Sequence, residues 1–177
     1  MPQIFPLPLA GPLPELQPEI DAIFYEAAAR KSFADEKARA RFHDIWLGRY
    51  LRHCPEDCFL ALDDDSRVVG YLAGTLISNA DPLPGPDYYA LFPSGPITTH
   101  PAHIHVNVRK EARGNGTGTL LVAAFAHHCM ASGVSGFHAV TMANSRSEDF
   151  FKNCGMRNLA DTTWNGHPIV FLGRRGG

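Results

Sequence analysis

Three glycines alternate with polar residues in the stretch RGNGTG, residues 113–118, immediately before an apolar run. Glycine is a poor helix former, yet the apolar positions that follow recur at helical spacing. A strand-to-helix junction of this kind presents backbone N–H groups at the positive end of the helix dipole, and that combination binds phosphate. Gly114, Gly116 and Gly118 lack the Cβ atoms that would hold a diphosphate away. We therefore expect an anion site here, with a ligand-free glycine turn as the alternative.

The spacing of the glycines narrows the choice of anion. A P-loop requires Gly-Lys followed by Ser or Thr, which this stretch lacks. A dinucleotide fingerprint needs glycine at position 119, where Thr119 stands, and an acidic residue near position 139 after a suitable strand. The spacing that is satisfied is Arg-x-x-Gly-x-Gly, through Arg113, Gly116 and Gly118.

A second motif follows further along the chain, at NSRSEDFFKNCGM, residues 144–156. It resembles the Asn-x-x-Ala-x-x-Phe-Tyr-x-x-x-Gly-Phe motif of the GNAT acetyltransferases, and RGNGTG resembles the coenzyme A loop of that family. The second motif is carried by Asn144, Ser147, Phe150, Phe151, Gly155 and Met156. The resemblance implies a GNAT fold, acetyl-CoA as the acyl donor, and transfer of the acetyl group to a small-molecule or peptide amine.

From Pro55 onward the chain is similar to the acetyltransferase-like C-terminal domain of eukaryotic O-GlcNAcase. The similarity is carried by PEDCFLALDDDSRVVGYLAGTL, by IHVNV and by the ending HPIVFLGRR. That domain is regarded as a pseudo-acetyltransferase with a degraded glycine loop, whereas the loop of this chain is intact. We therefore expect a stand-alone acetyl-CoA-binding protein without a hydrolase domain, and we keep a catalytically weak sensor or interaction module as the alternative.

The resemblance also assigns residues to the donor site. Acetyl-CoA is expected to contact the strand AHIHVNV, the glycine loop and the second motif, through Val106, Asn107, Val108, Arg113, Gly114, Asn115, Gly116, Thr117, Gly118, Thr119, Asn144 and Phe151. Backbone groups of Val106 and Val108 are implied to bind pantetheine and polarise the thioester oxygen. Phe151 stands where many family members have a tyrosine that protonates the departing thiolate. Slow turnover, protonation by water or another donor, and a binding-only role are therefore all open.

Polar side chains share one face of the strand at residues 102–108, because strand side chains alternate. They are His103, His105 and Asn107. A histidine whose pKa lies near neutrality can accept the proton of an acceptor ammonium, directly or through water. The alternative is that both are hydrogen-bonded structural histidines. Asn144 completes the set of candidate catalytic residues, with a turn before a helix as its alternative role.

Composition excludes several other classes. The 177 residues suit one domain, and a formal net charge of -2 offers no field for nucleic acid or anionic membranes. The first twenty residues contain six prolines and no charged segment, so neither a secretory signal nor a membrane span is expected. Scattered cysteines suit reduced thiols in the cytoplasm, and neither they nor the histidines have the spacing of a metal site. The oligomeric state stays open, with a homodimer as one option.

The rest of the pattern predicts the elements that position these residues. We expect a Pro-rich arm over 1–18 with an edge strand at Ile4 and Phe5, two helices over 19–30 and 35–51, a hairpin over 58–77 and a long ordered loop over 79–100. A strand over 102–108, a helix over 117–132, a strand over 137–142, a capped helix over 145–153 and a final hairpin over 156–173 follow. One acidic and three aromatic residues of the long loop either line the acceptor site or pack internally: Asp87, Tyr88, Tyr89 and Phe92. This order predicts a single α/β domain of GNAT type over 1–177, with a mixed, mostly antiparallel sheet of about six to seven strands flanked by about four helices.

Overall fold

Seven β-strands form the sheet of the protein, whose computed structural model describes residues 1–176. The strands are β1 Gln3–Pro6, β2 Phe59–Leu62, β3 Val68–Thr75, β4 Ala102–Val108, β5 Gly136–Met142, β6 Arg157–Trp164 and β7 His167–Arg175. Their order is β1-β2-β3-β4-β5-β7-β6. The β4–β5 pair is parallel, while β1–β2, β2–β3, β5–β7 and β6–β7 are antiparallel. The predicted mixed, mostly antiparallel sheet is confirmed.

Longer and shorter helices accompany the sheet. They are α1 Leu7–Ala10, α2 Leu13–Ala27, α3 Glu36–His43, α4 Arg49–His53, α5 Ser94–Thr99, α6 Thr117–Ala131 and α7 Arg146–Asn153. A π-helical segment, Asp44–Gly48, lies between α3 and α4 and divides what the periodicity predicts as one helix. Among residues 1–176, the four helices of eight or more residues agree with the expected number of about four, and the short helices α1 and α5 occupy segments assigned to an arm and a loop.

The amino-terminal arm shows why the prolines mislead. β1 includes the predicted strand residues Ile4 and Phe5, but α2 begins at Leu13, within the stretch expected to be extended. Proline fixes φ near the helical value and lacks only an N–H that the first turn leaves unpaired, so a helix can begin at such a stretch. Ile20 and Ile23 of α2 are buried, as their spacing predicts.

The chain divides into two compact units, and β4 and α6 contribute residues to both. The first unit consists of Met1–Gly74 and His105–Phe125, and the second of Thr75–Ile104 and the described residues from Ala126 onward. The core of the first unit includes Ile20, Leu60, Tyr71, Leu121 and Phe125, and that of the second includes Ile104, Phe137, Phe171 and Leu172. The single domain expected from the sequence stays a prediction.

The segment at residues 79–100 is not one irregular loop. It contains a 3-10 helix, Asp87–Leu91, and α5. Tyr88, Tyr89 and Phe92 are buried in the second unit, and the indole Nε1 of Trp164 donates a hydrogen bond to Asp87 Oδ1 over 2.7 Å. The aromatic residues of this segment therefore pack internally, which is the second of the two roles expected from the sequence.

Local end signals explain the boundaries of α6 and α7. After α6, Gly133 takes φ of 70°, its N–H donates to Met130 O, and the Val134 N–H donates to Cys129 O. These two bonds are the Schellman motif, which satisfies the last carbonyls of a helix. At the start of α7, Ser145 Oγ accepts from the Glu148 N–H over 3.2 Å, which is the predicted N-cap.

The final hairpin turns at the predicted position. Asn165 and Gly166 take φ of 50° and 77°, the pair of positive values that a type I′ turn requires. No helix within residues 1–176 has the length and apolar character needed to cross a membrane. Four free cysteines lie in the described chain, and three of them, Cys58, Cys129 and Cys154, are buried.

Candidate functional site

The glycine loop that precedes α6 has a backbone conformation that favours glycine at two positions. Gly114 and Gly116 take φ of 81° and 80°, in the left-handed region that side chains with a Cβ rarely adopt. A Cβ added to either glycine would meet no atom within 4 Å, so the space beside both is open. The glycines are thus required by the backbone conformation of the loop, which faces solvent rather than the core.

Helix α6 begins directly after this loop. The Leu120 N–H donates to Gly116 O over 3.0 Å, which makes Gly116 the N-cap residue. Glycine has no side chain that could accept from the first N–H groups of the helix, so the first-turn groups at Thr117, Gly118 and Thr119 have no intrahelical acceptor. Asn115 of the loop and Thr119 are exposed. The junction therefore presents several N–H donors at the positive end of the helix dipole.

Arg113 makes two contacts within the fold. Its Nε donates to the Val108 carbonyl over 2.8 Å, and its Nη2 lies 3.9 Å from Glu26 Oε2. The guanidinium thus ties the loop back to the end of β4, with a longer ion pair to α2. Arg113 positions the loop through these contacts, and the prediction that it contacts a ligand stays untested.

The backbone of β4 alternates between its two edges. The Arg109 N–H donates to Val69 O over 2.9 Å, and a Cβ at Gly70 would lie 3.2 Å from the Asn107 carbonyl oxygen. Positions 107 and 109 therefore direct their backbone groups toward β3. Because these directions alternate along a strand, Val106 and Val108 direct theirs to the other edge. This geometry suits the predicted contacts with pantetheine.

Asn107 is engaged within the fold. Its Nδ2 donates to the Tyr71 hydroxyl oxygen over 2.7 Å. Tyr71 is 1% exposed, and burial raises the pKa of its phenol well above the ordinary value, so the phenol stays neutral. Tyr71 was not among the predicted site residues, and no alternation in β3 could have singled it out, because all eight residues of this strand are buried.

His105 is surrounded by aromatic rings of the first unit. Its ring lies edge-on to Trp46 and Tyr50, with centroid distances of 5.5 and 5.4 Å. Burial lowers the pKa of His105 from 6.5 to about 4. The expectation of a pKa near neutrality is therefore wrong for His105, because the π-helical segment that carries Trp46 shields the ring. His105 is neutral at pH 7 and is a weak base.

His103 lies in the second unit, in an aromatic cluster of its own. It is 1% exposed and stacks on His138 with centroids 4.9 Å apart. Because the His100 carbonyl can only accept, the His138 Nδ1 donates to it over 2.6 Å, and Nε2 accepts from the Tyr89 hydroxyl over 2.8 Å. The surroundings of His103 fit the structural alternative, beneath the aromatic segment that includes Tyr89.

Asn144 and Phe151 also lie in the second unit. Asn144 is exposed with φ of 55°, and its N–H donates to Glu148 Oε2 over 2.6 Å, which is the geometry of a turn residue before a capped helix. Phe151 is 6% exposed, with its ring centroid 5.0 Å from that of Phe150. The first unit thus contains the predicted site residues of the ranges 105–108 and 113–119. His103, Asn144 and Phe151 belong to the second unit. No cluster of three or more metal-ligating side chains occurs among the described residues.

Comparisons with known proteins identify the family of the chain. The model of the Acetyltransferase (GNAT) family matches residues 18–156, and the chain belongs to that family. A comparison with curated proteins finds no match. The assignment to the family therefore rests on the match of the family model.

Solved structures of similar fold include acetyltransferases. SsHAT superposes with a TM-score of 0.75 at 20% identity, covering 99% of this chain and 98% of that one. An N-acetyltransferase from Staphylococcus aureus Mu50 gives 0.66 at 15% identity, covering 100% and 99%. A GNAT superfamily phosphinothricin acetyltransferase from Sinorhizobium meliloti, in complex with AcCoA, gives 0.61 at 18%, covering 98% and 88%. At these identities the likeness establishes the fold.

Proposed function

We propose that this chain binds acetyl-CoA at the glycine loop and transfers the acetyl group to an amine. The observation that carries the proposal is the junction between the loop and α6. There, Gly114 and Gly116 take left-handed φ values, the space beside them is open, and an N-cap glycine leaves the first N–H groups of the helix without a side-chain acceptor. A diphosphate supplies the anionic oxygens that such donors require.

The strand before the loop supports the same assignment. Backbone groups of Val106 and Val108 point away from β3 and suit the amides of pantetheine, although the Val108 carbonyl already accepts one hydrogen bond from Arg113. A carbonyl oxygen has a second lone pair, so that bond leaves it able to accept another. A backbone N–H on this edge stabilises the charge that develops on the thioester oxygen. Acetyl-CoA itself supplies an activated thioester.

The acceptor nitrogen must lose a proton as it bonds to the acetyl carbon and the carbon–sulfur bond breaks. His105 is neutral, but a base with a pKa of about 4 does not hold that proton at pH 7. We propose that His105 orients the acceptor or a water molecule, and that the proton passes to solvent. Asn107, which donates a hydrogen bond to Tyr71, lies on the same face of β4 as His105 and is a second polar group for the acceptor.

A second candidate function is a binding module that senses acetyl-CoA with little turnover. It is favoured by Phe151, which has no proton to give to the departing thiolate, and by the resemblance to the O-GlcNAcase C-terminal domain. A thiol has a pKa near 8.5, so its thiolate leaves without assistance at a reduced rate. The two candidates share the donor site and differ in the chemical step.

Phe151→Tyr is expected to raise the turnover by about tenfold, because a phenol at this position can protonate the thiolate. We expect a smaller increase than a general acid usually gives, because the thiolate leaves readily without a proton donor. Free-thiol release at saturating acetyl-CoA measures the rate. Phe150→Tyr is the matched control, since it adds the same hydroxyl to the neighbouring ring. An unchanged rate in the Phe151 variant would mean that protonation at this position does not limit turnover.

Calorimetry with acetyl-CoA tests the donor site, and thiol release across a panel of amines tests the transfer. The panel includes glucosamine and lysine-containing peptides, so that both small-molecule and peptide acceptors are represented. Binding with amine-dependent thiol release supports the enzyme, while binding without release supports the sensor. The absence of a heat of binding would contradict both the enzyme and the sensor. A cytoplasmic location and a homodimer stay predictions.

A further inference from the structure

Helix α2 holds the connection between β4 and the glycine loop through two carboxylates. Glu19 Oε2 accepts from the Val68 N–H over 3.1 Å and from Arg109 Nη2 over 3.3 Å. Glu26 Oε2 accepts from the Lys110 N–H over 3.1 Å and lies 3.9 Å from Arg113 Nη2. Glutamates seven residues apart lie on one face of a helix, because two turns separate them. One face of α2 thus contacts both ends of the connection.

The connection itself is short and internally bonded. It contains a 3-10 helix, Lys110–Ala112, in which the Ala112 N–H donates to Arg109 O and the Arg113 N–H donates to Lys110 O. Gly114 follows directly. A shift of the Lys110 backbone is therefore passed through one helical turn to the glycines, whose N–H directions depend on it.

We propose that Glu26 is a positioning residue of the acetyl-CoA site, whose carboxylate holds the Lys110 N–H and so fixes the glycine loop. The inference rests on the proposed function. The hydrogen bond to Lys110 carries the effect, because a half-exposed ion pair at 3.9 Å, such as that with Arg113, contributes little. Glu26 acts on the ligand through the loop and does not touch it.

An effect of charge and an effect of loop position predict opposite changes in acetyl-CoA affinity when Glu26 is substituted. Acetyl-CoA is anionic, so removing a nearby carboxylate should strengthen its binding if charge alone matters. Glu26→Ala and Glu26→Gln both remove one negative charge, but the glutamine keeps a side-chain oxygen that can accept from the Lys110 N–H. The positioning role predicts that the alanine variant binds more weakly and that the glutamine variant is rescued.

Calorimetry of the full chain with acetyl-CoA measures this difference. We expect Glu26→Ala to weaken binding about fivefold and Glu26→Gln to stay within about twofold of the native affinity. Glu15→Ala removes the same charge from an exposed position of α2 and should bind as the native chain does. Equal or tighter binding by Glu26→Ala, or equal weakening in both Glu26 variants, would overturn the proposal.

Hydrogen exchange of the ligand-free protein separates this inference from the proposed function. In Glu26→Ala, the amides of residues 110–118 should exchange about fivefold faster, while those of β2 keep their native rates. If the native chain shows no heat with acetyl-CoA, the proposed function fails, and the exchange rates still decide whether Glu26 holds the loop. Native exchange at residues 110–118 in Glu26→Ala would overturn the positioning role.

Discussion

Gly116→Asp is expected to weaken acetyl-CoA binding by at least about a hundredfold. The new carboxylate would lie at the N-cap of α6, where aspartate accepts from the first-turn N–H groups and so occupies the donors intended for the diphosphate. It also places a negative charge beside an anionic ligand. Calorimetry gives the affinity, and a thermal melt establishes that the variant is folded.

Gly116→Asn is the matched control for this substitution. Asparagine tolerates the left-handed φ of 80° better than other residues and has nearly the shape of aspartate without its charge. We expect it to weaken binding about tenfold, because its amide oxygen also competes for the first-turn N–H groups. Native affinity in the aspartate variant would show that the diphosphate is bound elsewhere.

Acidification from pH 6.5 to pH 4 is expected to cost the native protein about 2 kcal/mol of its free energy of unfolding through His105 alone. The pKa of His105 in the folded protein is about 4, below its ordinary value of 6.5. In this interval the unfolded chain binds a proton that the folded chain does not, so stability falls as the pH falls. The full shift corresponds to about 3 kcal/mol, and we expect a smaller effect because His105 as a whole residue is only partly buried.

Comparison with His105→Gln isolates this contribution from that of the other histidines. Chemical denaturation at several pH values gives the free energy of unfolding of both proteins. As the pH rises from 4 to 6.5, the native protein should gain about 2 kcal/mol of stability relative to the variant, and above pH 6.5 the difference should stay constant. Parallel curves would contradict a lowered pKa for His105.

Features set by local sequence signals could be predicted well. The bounds of β4 agree with the predicted strand 102–108, because its polar and apolar residues alternate without interruption. Helix α6 starts at the predicted Thr117, and Ser145 caps α7 as its spacing with Glu148 indicates. In each case a few adjacent residues determine the conformation.

Features set by distant contacts could not be predicted. The Lys110 N–H meets a glutamate 84 positions earlier in the chain, and Asn107 meets a tyrosine hydroxyl 36 positions earlier. The lowered pKa of His105 results from burial, and the Trp46 ring beside it belongs to a π-helical segment that the sequence predicted as ordinary helix. The glycine loop was recognisable from its spacing, whereas the groups that hold it become evident only from the fold.

A crystal structure of the protein with acetyl-CoA tests the central claim most directly. We expect diphosphate oxygens within hydrogen-bonding distance of the N–H groups of Gly116, Gly118 and Thr119, with pantetheine along the Val106 and Val108 edge of β4. A diphosphate bound away from the start of α6, or no bound acetyl-CoA at a saturating concentration, would contradict it.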